Sequence, residues 1–133
     1  MTPQQRQLQR RRALAWMEAA AAGMSHQQIS EMVTIAAAGT TDTTIKMPAG
    51  ATILGVRVLV ATTVPCTTSF KVGDTGDTDR FGAAVSKLAG TDYYGSVTPY
   101  ENTSALAVRI TPDSVPSSDA GRVKVVIIYT YAK

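Results

Sequence analysis

A chain of 133 residues, 44% hydrophobic and 17% charged, has the composition of one globular domain with a lightly charged surface; that length buries roughly two-thirds of its unfolded surface and leaves too little core for a second domain. The formal net charge of +3 is more than accounted for by Arg6, Arg10, Arg11 and Arg12, so the remainder is nearly neutral. One cysteine, Cys66, and one histidine, His26, exclude an intramolecular disulfide and the zinc sites of four cysteines or of two cysteines and two histidines within one chain.

No run reaches the approximately 20 apolar residues of a membrane-spanning helix. Residues 13–22 are short of that, are interrupted by Glu18 and lack a signal-peptidase context, so a soluble protein without a cleaved leader is expected. The first element is helical. Thr2-Pro3-Gln4-Gln5 offers a capping box with proline at the first helical position, residues 3–22 are mostly good helix formers, and Gly23 is a natural stop. Ser25-His26-Gln27-Gln28 repeats the cap signature and predicts a short second helix over about 26–32. A helical arm over 1–32 and a β-domain over 33–133 follow.

Past residue 33 Thr, Val, Ile and Tyr alternate and are broken by Gly, Pro and Asp, predicting strands near 33–38, 42–47, 52–61, 67–72, 80–85, 93–98, 104–111 and 121–131. Eight short strands with no helical pattern between them argue for a mainly β fold, an antiparallel β-sandwich of jelly-roll type with an N-terminal α-helical arm. In the last strand Val123, Val125 and Ile127 alternate with Arg122, Lys124 and Val126, and residues 128–131 are then largely apolar on both faces, as in a central or interface strand.

The stretch Pro48-Ala49-Gly50-Ala51-Thr52-Ile53-Leu54-Gly55-Val56, followed by Ser69-Phe70-Lys71-Val72-Gly73-Asp74 and Asp79-Arg80-Phe81-Gly82, resembles small β-sandwich accessory proteins of tailed bacteriophages and prophages. Those serve as capsid decoration, head-spike or tail-fibre modules, and the resemblance spans roughly residues 34–131. It implies a non-enzymatic structural protein of the virion, assembled in the host cytoplasm beside major capsid or tail proteins. It also implies a homo-oligomer, commonly a trimer.

Several residues offer chemistry of their own. Asp74-Thr75-Gly76 matches an aspartic-protease triplet, but Asp77-Thr78 lacks the glycine of a second copy, so a turn is expected, with Asp79 pairing locally or capping it and Arg80 along a sheet edge or interface. Asp74, Asp77 and Asp79 have the residue type of a calcium loop without its spacing, and a structural turn is preferred to a metal site. His26 lies in the helical preface and Cys66 in a Thr-rich loop with no cation beside it, so no catalytic residue is assigned and no cofactor is implied.

Arg6, Arg10, Arg11 and Arg12 suit phosphates or an acidic protein surface. With Leu14, Trp16 and Met17 as apolar anchors, protein docking by the arm is preferred to nucleic acid. Tyr93, Tyr94 and Tyr100, interleaved with Gly95, Ser96 and Pro99, suit either a recognition surface or the sandwich core. The rival readings are a tail-fibre or receptor-binding module that uses the tyrosines, and a nucleic-acid-binding particle protein that uses the arginines.

Overall fold

The structure, a computed structural model, describes residues 2–5 and 24–132. Residues 3–5 are helical, and the capping box forms as the sequence predicts: the Gln5 N–H donates to Thr2 Oγ1 at 3.1 Å and the Thr2 N–H to Gln5 Oε1 at 2.9 Å. The rest of the first predicted helix, with Arg6, Arg10, Arg11, Arg12, Leu14, Trp16 and Met17, lies outside the described residues.

Eight strands follow: β1 (Met24–Thr34), β2 (Thr41–Met47), β3 (Thr52–Thr62), β4 (Ser69–Gly73), β5 (Gly82–Ser86), β6 (Asp92–Glu101), β7 (Leu106–Pro112) and β8 (Arg122–Ala132). They form two antiparallel four-stranded sheets, sheet A in the order β1-β8-β3-β6 and sheet B in the order β2-β7-β4-β5. Sheet A contributes Ile53, Val56 and Val58 from β3 and Val123, Val125 and Ile127 from β8 to the core. Sheet B contributes Met47, Phe70, Val72, Val85, Val108 and Ile110, all buried. The apolar inner faces press together as period-2 alternation requires.

The short second helix predicted over 26–32 is corrected: those residues belong to β1, which pairs with β8 from Met24↔Ala132 to Thr34↔Arg122. The Ser-x-x-Gln cap signature is local, whereas Ile29 packs on the core and Val33 is buried in it, a period of two that β8 rewards with a full hydrogen-bonding edge. The first predicted strand moves with it, because residues 35–40 form the β1–β2 connection. Strand β1 thus begins inside the segment assigned to the arm.

Two corners are type II turns. Gly50 (φ 82°) and Gly90 (φ 89°) each occupy the position that demands a positive φ, with Ala51 N–H to Pro48 O at 3.3 Å and Thr91 N–H to Leu88 O at 3.2 Å closing the turns. Strand connectivity sorts the loops to two ends. The β1–β2, β3–β4, β5–β6 and β7–β8 loops share one end, where the Asp113 carboxylate accepts the N–H groups of Thr67, Thr68 and Ser69. The β2–β3, β4–β5 and β6–β7 loops share the other, together with Met24 and Ala132.

Candidate functional site

The two sheets differ in what they turn outward. On sheet B the outward positions are Asp42, Thr44 and Lys46 of β2, Ala107, Arg109 and Thr111 of β7, Ser69 and Lys71 of β4, and Ala84 and Ser86 of β5. No apolar side chain there exceeds alanine, and Arg109 pairs with Asp42 at 2.8 and 3.0 Å. This is the solvated face expected of an antiparallel sheet.

Sheet A carries apolar groups on both faces. The register aligns three outward rows across β1, β8, β3 and β6: Met32–Lys124–Leu59–Asp92, Ser30–Val126–Arg57–Tyr94 and Gln28–Ile128–Gly55–Ser96. Met32 and Tyr94 are 43% and 49% exposed, and Leu59, Val126 and Ile128 are partly exposed between them. A depression of about 320 Å³ on this face is lined by residues of β1, β8 and β3, among them Leu59, Val126, Ile128, Arg57 and Lys124. Arg57 is held by Asp92 through a bidentate pair at 2.9 and 2.6 Å, a geometry that fixes the guanidinium rather than adding much stability at so exposed a position.

The tyrosines separate. Tyr93 packs on the core against Gly82. The irregularity between Ile53 and Gly55, opposite residues 97–99 of β6, turns Tyr100 toward the core as well. Tyr94 alone joins the outer face of sheet A, where its ring covers Gly55: a Cβ there would lie 3.0 Å from the Tyr94 hydroxyl.

Asp74 is buried at the end of β4 and organises the β4–β5 loop. Its Oδ1 accepts the N–H groups of Gly76 (2.8 Å) and Asp77 (2.9 Å), and its Oδ2 accepts Arg80 Nε at 2.8 Å. The capping carboxylate is therefore Asp74 rather than Asp79, whose N–H reaches Asp77 Oδ1 at 3.4 Å. Arg80 then lies over the Tyr100 ring, 4.9 Å from its centroid, and the Tyr100 hydroxyl faces Met47 Sδ at 3.8 Å. Burial pushes the Tyr100 phenol above its ordinary value, against the pull of Arg80. With both Asp74 oxygens so engaged, the acidic turn is built as a strut between sheets. Among the described residues no three His, Cys, Asp or Glu side chains converge as metal ligands.

Cys66 is buried with Sγ 3.5 Å from Ser69 O, and burial, reinforced by Asp113, pushes its thiol up, away from the thiolate a nucleophile needs. The backbone of His26 pairs with Thr130 at the opposite end of the sandwich from the Cys66 loop.

No sequence pattern marks Met32, Leu59 or Glu31. The apolar run at residues 128–131 was the one signal of an occupied outer face. The Glu31 carboxylate crosses from β1 to β2, where it accepts Thr44 N–H (3.0 Å), Thr44 Oγ1 (2.6 Å) and Ile45 N–H (2.9 Å) at a register shift that leaves those amides without a β7 partner.

No protein-family model matches the chain, and no curated protein matches it. Among solved structures it is similar to a chain of the capsid asymmetric unit of cyanophage Pam1, with 24% identity over 82% of this chain and 86% of that one and a TM-score of 0.56. A chain of the acid-stable capsid of Helicobacter pylori bacteriophage KHP30 aligns over 79% of this chain and 92% of that one, with 15% identity and a TM-score of 0.49. The fold is thus one that also occurs in a phage capsid.

Proposed function

We propose that this protein is a non-enzymatic structural subunit of a tailed-phage virion, of the capsid decoration, cement or head-spike kind. The observation that carries the reading is the strand order, β1-β8-β3-β6 over β2-β7-β4-β5, which supports the jelly-roll form of the sandwich. The likeness in fold to a chain of a cyanophage capsid unit supports it. A sandwich with one solvated face and one apolar face is suited to lie on a neighbour. The arm, with Arg6, Arg10, Arg11 and Arg12 for acidic groups and Leu14, Trp16 and Met17 for an apolar pocket, acts as a clasp on the major capsid or a tail protein, and the assembled subunit is a homo-oligomer, a trimer by its resemblance.

The test is co-sedimentation of the purified chain with particles of the encoding phage that lack it. Saturable binding at a fixed number of copies per particle is the expected result, and Trp16→Ala weakens it by about 2–4 kcal/mol, the scale of a buried interface aromatic. Binding to duplex DNA with none to particles would replace this reading with the nucleic-acid one. Saccharide binding that is lost in Tyr94→Ala, the exposed tyrosine of β6, would favour the tail-fibre module.

A further inference from the structure

We infer that the outer face of sheet A is a second docking surface, whose occupant is a neighbouring virion subunit presenting an apolar patch flanked by carboxylates; this rests on the virion reading. Arg57 on this face is neutralised by Asp92, whereas Lys124 and Arg122, two residues apart on β8 and both facing out, have no acidic partner among the described residues. A partner that fills the depression lined by Val126, Ile128 and Leu59 also desolvates Lys124, which lines it, and a carboxylate opposite the ammonium offsets that cost best.

Charge disfavours the other occupants. The chain's own N-terminal segment brings Arg6, Arg10, Arg11 and Arg12 against one acid, Glu18, and would be repelled by Lys124 and Arg122. A second copy brings the same two cations, and of the face's two outward carboxylates Asp92 is already held by Arg57, which leaves Glu101 alone to meet both.

The probe is the same chain-free phage particle, titrated with wild-type chain, with Arg122→Glu/Lys124→Glu, with Lys124→Gln and with Lys71→Glu on the opposite sheet. Both face variants alter exposed side chains and should melt as wild type does. Affinity should fall at least tenfold for the double reversal, by less for Lys124→Gln, and not at all for Lys71→Glu. Unchanged binding by the face variants while wild type binds overturns this inference and leaves the virion reading standing; no binding by wild type overturns both. Sedimentation velocity on the chain alone closes the remaining case, since self-association abolished by the double reversal would make the occupant a second copy.

Discussion

Glu31 joins the edge strands of the two sheets with one carboxylate. Burial alone would raise its pKa, but the Thr44 hydroxyl and the Ile45 and Thr44 N–H groups hold it below the ordinary value. Replacing it with alanine should cost about 1.5 kcal/mol, the low end for hydrogen bonds to a charged group because water reaches the freed amides, and urea melts of the variant would read that loss. Its folded-state pKa lies below its unfolded one, so the stabilisation is fully present above the unfolded value of about 4.3 and disappears as pH falls through the folded value. Arg109 likewise holds the Asp42 carboxyl down. Wild type should therefore lose stability below about pH 4, and the gap between wild type and Glu31→Ala should narrow there; a gap that widens in acid would contradict the assignment. Asn102 acts at the other end of the sandwich. Its buried side-chain amide donates to Met47 O (2.8 Å) and Pro48 O (3.1 Å), and its N–H donates to Ala51 O (2.8 Å). Asn102→Ala leaves two carbonyls short of donors and should lower stability by about 1–3 kcal/mol in the same melts.

At the scale of elements, β1 decides where the domain begins. It covers the edge of β8 along eleven residue pairs, from Met24 to Thr34. Deleting residues 1–23 should leave a cooperative β-protein with an unchanged thermal midpoint, because every strand pairing among the described residues lies within 24–132. Deleting 1–31 removes most of β1, strips Ile29 from the core margin and exposes the long edge of β8, so that chain should aggregate or melt at a much lower temperature. Circular dichroism melts of the two truncations distinguish these outcomes, and equal stability would mean that β1 is dispensable. Seven strands were legible because β-branched or aromatic residues occur in each between Gly, Pro or Asp breaks. Strand β1 was not, since Met24, Gln27, Gln28 and Met32 read as helix formers until β8 supplies the edge that makes them a strand.

For the whole molecule, the balance between apolar and ionic contact sets how assembly responds to salt. If the arginines of the N-terminal segment gripped phosphates, four contacts would give a log-log slope of roughly −3.6 with duplex DNA. Docking through Leu14, Trp16 and Met17 should instead tolerate moderate salt, because buried apolar contact is insensitive to screening, with only the shallower slope that the two cations Arg122 and Lys124 add; titrations at several salt concentrations on particles and on fluorescent duplex measure both. The sequence by itself determined a mainly β domain, seven of its strands, the turn at Gly50 and the absence of an intramolecular disulfide among these residues, since alternation and turn chemistry act between residues close in the chain. Only the tertiary structure decided that Tyr93 and Tyr100 belong to the core while Tyr94 faces out, that Asp74 rather than Asp79 caps the acidic loop, and that Met32, Leu59, Val126 and Ile128 share one surface. Those outcomes depend on register between strands distant in sequence, where one irregularity beside Gly55 reverses which side chains point outward.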